Sequence, residues 1–186
     1  TLSVQQTPPA KPMTETTRID NYLEHLQVTY PYLPKSARYV VSDGFYGKIK
    51  WVNGVTALQL DVISKLQCDA DVRYVYTGVQ KPRGRHRKYD GKVDLTDVSR
   101  MTLVCELEPN LFLYDVVVWS LSLKRKVRLA FLLDGRNPKR IGRVLLFSTD
   151  IHIDVSDILD FYKARFQIEF IFRDAKQFTG HWLVKA

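Results

Sequence analysis

Four residues near the end of the sequence, Tyr162, Arg165, Glu169 and Lys176, stand in the spacing Y-x2-R-x3-E-x6-K. Their side chains suit phosphodiester chemistry. A carboxylate offers hard oxygen ligands to a divalent cation, an arginine forms a bidentate fork on phosphate, and a lysine supplies a point charge. At about 100° per residue, the four fall within an arc of roughly 60° on one helix face. Phe161, Ala164, Ile168, Ile171, Phe172, Ala175 and Phe178 fill the adjoining arc, so a narrow polar stripe runs beside a wide apolar one. Such an edge presents its polar groups to a cleft bordering the core. A plainer reading is also open: Arg165, Glu169 and Arg173 form a solvated ladder of i, i+4 ion pairs, worth roughly a few tenths of a kcal/mol each. Against it, four fixed residues at fixed spacing arise by chance only on the order of once in a thousand chains of this size.

A second acid, Asp43, closes the run ARYVVS and opens an Asp-Gly turn. Asp-Gly is a common turn pair on its own account, and that is the plain reading of Asp43. Lys81, Arg83, Arg85, Arg87 and Lys88, with Pro82 and Gly84 among them, form a basic loop that is either solvated or a contact for nucleic acid. Lys65, near the end of another strand candidate, is a further phosphate contact of the same kind. Cys68 and Cys105, and His25, His86, His152 and His181, show no metal-ligand or disulfide spacing.

The net charge of +8 over 186 residues, with 45 % hydrophobic and 26 % charged residues, describes a folded basic chain suited to a polyanionic partner. No apolar run approaches the roughly 20 residues of a membrane span. The opening TLSVQQTPPAKP has neither part of a signal peptide, and a reducing cytoplasm is the simplest setting. The absence of an initiator Met suggests a start inside a longer protein.

The elements that must position these residues follow from periodicity. Thr1 to Gln6 reads as the tail of a strand stopped by Pro8 and Pro9. A helix follows, with Thr14 or Thr16 as its N-cap and Ile19, Tyr22, Leu23 and Leu26 as one buried stripe. YPYLPKS breaks it. Strands are expected over Ala37–Ser42 and Leu58–Leu66, with a short helix over Gly47–Ala57 between them that Gly54 weakens. This alternation favours a mixed α/β sheet. From Gln67 the texture changes. RYVYT, the basic loop KPRGRHRKYDGK, MTLVCELE, LFLYDVVVWSLS and KVRLAFLLD suggest an all-β insertion, not more of the α/β sheet. RVLLFST returns to a buried-strand pattern, and Val155 to about Gln177 is the longest helical stretch.

With these residues in place, the sequence resembles DDE transposases of the group named after insertion sequence four, whose signature is Y-x2-R-x3-E-x6-K. FSTDIHIDVSDILDFYKARFQIEFIFRDAKQFTG and VVSDGFYGK…LQLDVISKLQCDADVRYVY carry the resemblance. It implies an α/β, RNase H-like mixed-sheet core, incomplete at its N-terminal side, formed by residues 1–66 and 143–186, with the β-rich insertion at 67–142. It implies Asp43 and Glu169 as the second and third metal-binding acids, the first lying upstream of Thr1. Tyr162, Arg165 and Lys176 match positions that hold DNA. The implied activity is cleavage and joining of phosphodiesters with two Mg²⁺ (or Mn²⁺) ions on double-stranded transposon ends. The implied assembly is a homodimer on DNA, in a bacterial cytoplasm at the nucleoid. Other readings remain: a catalytically dead remnant that only binds DNA, a basic scaffold without DNA affinity, and a PD-(D/E)xK-like nuclease. The last expects an acid-x-Lys pair on a strand, whereas here the acid-to-lysine spacing of interest falls on a helix.

Overall fold

Helix α1 (Arg18–Thr29) begins where the Asp20 carboxylate accepts hydrogen bonds from the Thr17 backbone N–H at 2.7 Å and from its hydroxyl at 2.8 Å. Thr17, not Thr14 or Thr16, is therefore the N-cap, because only Thr17 has an acid three residues on. The structure is a computed structural model that describes residues 17–167 and 170. The expected strand over Thr1–Gln6 lies outside them. Lys50 of helix α2 (Ile49–Ala57) also pairs with Asp20, tying the two helices together. The hydrogen bond from Lys50 and those from Thr17 hold the Asp20 carboxyl down at about 2. The stabilisation it gives is present above the ordinary Asp range and is lost as pH falls through that value.

Ile19 of α1 is buried, and Tyr22, Leu23 and Leu26 pack partly buried beside it, as their spacing requires. Gly54 has a specific reason to be glycine. A Cβ there would fall 2.8 Å from Leu23 Cδ1 and 3.1 Å from Leu23 Cγ, so it sets the close approach of α2 to α1. Gly→Ala inside a helix ordinarily stabilises by about 0.5–1 kcal/mol. Gly54→Ala is expected to reverse that sign and destabilise by about 1–2 kcal/mol through overpacking, read as a lower urea midpoint. A raised midpoint would show that Leu23 yields freely.

Strands β1 (Tyr39–Val41) and β2 (Asp61–Leu66) are parallel, with Val40 opposite Val62. The expected β2 begins at Asp61 instead of Leu58, because Leu58 caps α2 and Gln59 turns with φ of 60°. The others are β3 (Val72–Val75), β4 (Tyr89–Lys92), β5 (Thr102–Glu108), β6 (Leu111–Ser120), β7 (Arg125–Asp134) and β8 (Gly142–Ser148). Together they form one mixed sheet in the order β1-β2-β8-β7-β6-β3-β4, with β5 paired to β6. The segment 67–142 is all β, as its texture requires. Its strands are nevertheless hydrogen-bonded edge to edge with the α/β part: β7 pairs with β8 from Asp134↔Gly142 to Arg128↔Ser148, and β8 pairs with β2. The basic loop also ends sooner than its composition suggests, since YDGK is strand β4 held against β3.

Alternation along the strands builds two cores. Val62, Leu66, Val118, Val127, Leu129 and Phe131 face α1 and α2, while Ile63, Leu113, Ala130 and Leu146 face helix α3 (Val155–Ala164). Residues buried on both faces explain the near-continuous apolar runs of β2, β7 and β8. The Asp154 side chain accepts the Ser156 N–H at 2.8 Å and caps α3. Among the described residues α3 ends at Ala164, followed by a turn at Arg165 and Phe166. The expected continuation to Gln177 lies almost entirely outside them.

Candidate functional site

Asp43 is placed by three local interactions. Its Oδ1 accepts the Phe45 N–H at 2.9 Å and so caps the short turn Gly44–Tyr46. Its backbone carbonyl accepts the hydroxyl of fully buried Ser64 at 2.7 Å. A Cβ on Gly47 would meet the Lys65 carbonyl at 2.9 Å, so the turn folds tightly against the carboxyl end of β2. Asp43 itself is half-buried. Its Oδ2 accepts no hydrogen bond from the described residues. Tyr39 and Val41 pack with the α3-side core and Val40 with the other; β1 ends at Val41, and Asp43 stands two residues on, at the start of the turn. Alternation within β2 puts Lys65, two residues beyond Ile63, on the α3 side. The Lys48 ammonium lies 4.2 Å over the ring of Phe45 in the same turn. Burial, then the Tyr22 and Asp43 side chains, push the Tyr46 hydroxyl up to about 12.

Helix α3 approaches this edge of the sheet. The Phe161 ring lies 5.5 Å from Tyr39, and Tyr162 packs partly buried against the α3-side core. Arg165 lies 5.3 Å from the Tyr162 ring and 4.4 Å from Phe166. Tyr162 and Arg165, paired by spacing in the sequence, are thus brought together. Glu169 and Lys176 lie outside the described residues. The loop before β4 stands apart from Asp43, since β1 and β4 are opposite ends of the sheet path, six inter-strand steps or about 29 Å away. In that loop Arg87 is engaged by Asp90 at 2.6 Å and lies 4.7 Å over the Tyr76 ring. Arg83, Arg85 and Lys88 are exposed around Gly84, whose φ is 96°.

The donor chemistry is that of a hard-metal site in part. Carboxylate oxygen is the ligand Mg²⁺ and Mn²⁺ prefer, and Asp43 offers a free oxygen at a strand end. Among the described residues no group of three potential metal ligands forms. No helix among them is long and apolar enough to cross a membrane. Sequence reasoning missed Ser64, which joins β1 to β2, and Lys48. The signal for Ser64 was a lone hydroxyl in the otherwise buried run DVISKL, where a polar group needs a partner.

The chain matches the model of the family described as Transposase DDE domain over residues 3–185. No curated protein and no solved structure matches the chain.

Proposed function

Since this chain belongs to the transposase DDE domain family, a family of DNA transposition whose members generally depend on a divalent metal, we propose that it forms the part of a catalytic core carrying Asp43 and Glu169. The fold agrees with that membership: a mixed sheet of RNase H-like type with helices on both faces. One observation carries the proposal furthest. Asp43 is held just beyond the carboxyl end of β1, and α3 packs on the same edge strand through Phe161 and Tyr39, one residue before Tyr162. As a second ligand, Glu169 must reach Asp43.

Under this reading Asp43 and Glu169 are ligands for Mg²⁺ or Mn²⁺. Bound metal supplies activation of the attacking oxygen and stabilisation of the leaving oxygen. The chain's own groups do the rest. The Ser64 hydroxyl fixes the backbone of Asp43, and the Phe45 N–H engages one carboxylate oxygen and leaves the other for metal. Arg165, backed by two aromatic rings, and Lys176 bind phosphates of the transposon end, and Lys65 and Lys48 add positive charge beside the acid. The spacing Y-x2-R-x3-E-x6-K supports membership of the insertion-sequence-four group. Residues 67–142 are the inserted β unit, built onto the core sheet, with Arg83, Arg85, Arg87 and Lys88 reaching outlying duplex as DNA-paired subunits assemble.

Arg165→Gln is expected to weaken duplex binding and to reduce the slope of log affinity against log salt by about one unit. An unchanged slope removes Arg165 from the phosphate contacts. The remnant reading shares this binding but predicts no Mg²⁺-dependent cleavage by any full-length form.

A further inference from the structure

Among the described residues the face of the sheet that α3 occupies is only partly covered. There α3 packs against β7, β8 and β2 and shares a core with Leu113 near the start of β6, while the Trp119 end of β6, with β3 and β4, is not among the elements it packs on. The residues there follow from register. Lys92 pairs with Arg73, Arg73 with Trp119, and Trp119 with Lys126. All four alternate with neighbours of the opposite core: Val93, Val72 and Tyr74, Val118, and Val127. They therefore form one row across β4, β3, β6 and β7. Lys92 and Lys126 are exposed and Trp119 is half-buried. Lys88 joins them, its ammonium 5.1 Å over the Trp119 ring. The Arg73 guanidinium lies 5.1 Å from the Tyr89 ring.

This arrangement is costly in the free protein. Like charges directly opposite in a sheet repel, and Arg73 and Lys92 are so placed. Asp71 offsets part of the repulsion through two 3.2 Å hydrogen bonds from Arg73. Lys88, Lys92 and Lys126 have no ion pair among the described residues. The end lysines are three strand spacings apart, about 14 Å, close to the roughly 12 Å width of a DNA major groove. They can meet phosphates on both strands of one duplex while Arg73 lies between. From Asp43, three strand spacings across and four residues along bring Lys126 to about 20 Å, some six base-pair steps of about 3.4 Å.

We propose that the row Lys92–Arg73–Trp119–Lys126, with Lys88, is a docking surface for the backbone of double-stranded DNA, separate from the signature residues. It rests on the reading of the chain as a transposase domain acting on DNA. The Trp119 ring props the Lys88 ammonium outward, and the cations contact phosphate without reading sequence.

The test compares the whole chain with Lys92→Gln/Lys126→Gln, whose exposed positions leave the fold intact, in binding a random-sequence 30-base-pair duplex across a salt series. The slope of log affinity against log salt is expected to fall by about 1.8, with binding about tenfold weaker near 0.15 M salt. A charge-matched control, Arg18→Gln/Lys35→Gln on the α1 side, is expected to keep the parent slope. If the double variant binds as the parent does, or the control loses as much, the docking surface is refuted while DNA binding stands. If the parent itself does not bind duplex at low salt, the DNA reading fails with it. Displacement of the duplex by polyglutamate at equal charge concentration would overturn DNA as the occupant.

Discussion

Asp43→Asn, placed in an active full-length protein carrying this chain, is expected to lower Mg²⁺-dependent strand cleavage by at least about a thousandfold, with duplex affinity kept within about twofold. Loss of a metal ligand removes several kcal/mol of charge stabilisation from the reacting phosphate, and each ~1.4 kcal/mol is about tenfold in rate. Asparagine is the informative substitution because of what Asp43 does locally. Its Oδ1 caps the Gly44–Tyr46 turn through the Phe45 N–H, and an amide oxygen can accept that bond equally well. The turn and the Ser64 contact to the Asp43 carbonyl therefore persist, and only the negative charge is lost. Alanine would confound the result with loss of the cap, which costs about 1 kcal/mol. Gel-based cleavage assays at several Mg²⁺ concentrations give the measurement. Undiminished cleavage would leave Asp43 as the acid of an Asp-Gly turn and nothing more.

Arg128→Ala is expected to destabilise the fold by about 3 kcal/mol, lowering the urea midpoint by roughly 1.5 M for a slope near 2 kcal/mol per M. Arg128 stands on β7 with only 23 % of its side chain exposed, paired to Asp115 at 2.6 Å. The pairing is bidentate, since Nε also donates to Asp115 Oδ1 at 2.9 Å. The same guanidinium donates to the Ile153 carbonyl at 2.8 Å, in the loop that delivers the chain to α3. Removing it leaves Asp115 without its partner and frees the entry to the helix that carries Tyr162. Lysine cannot replace it, because an ammonium lacks the fork that serves a carboxylate and a carbonyl at once. Arg128→Met/Asp115→Leu is expected to recover most of the loss, since breaking a pair costs more than replacing it. A midpoint within 0.3 M of the parent, on the order of measurement error, would show that the pair is incidental.

How far the sequence could be read depended on whether the deciding interaction was local. The stripe Ile19, Tyr22, Leu23 and Leu26, the strand ending at Asp43, and the runs that became β5 to β8 were legible because periodicity and propensity agreed there. The N-cap of α1 fell among three threonines, and only the Asp20 contact chooses Thr17. Strand β4 contains Asp90 and Gly91, poor strand formers held in place by pairing with β3. The joining of β7 to β8 and β8 to β2 is a non-local pairing that no window of sequence displays. It makes one sheet where a change of texture implies a separate unit.

The candidate site divides the same way. The position of Asp43, where a strand gives way to a turn, was legible, and so was the start of the final helix at Val155. Ser64 and Arg128 were not, because each acts on a residue distant in sequence: Ser64 on Asp43, and Arg128 on Asp115 and Ile153. The row of Lys92, Arg73, Trp119 and Lys126 depends on the register of four strands. Each cation alone looks like an ordinary solvated strand residue. Register makes them neighbours.

The most direct measurement is a crystal structure of the full-length protein with Mn²⁺, in which anomalous scattering locates the ion. One ion should be bound by carboxylate oxygens of both Asp43 and Glu169, each at about 2.0–2.3 Å. An ion held elsewhere, or the two carboxylates on opposite sides of the sheet, would contradict the account.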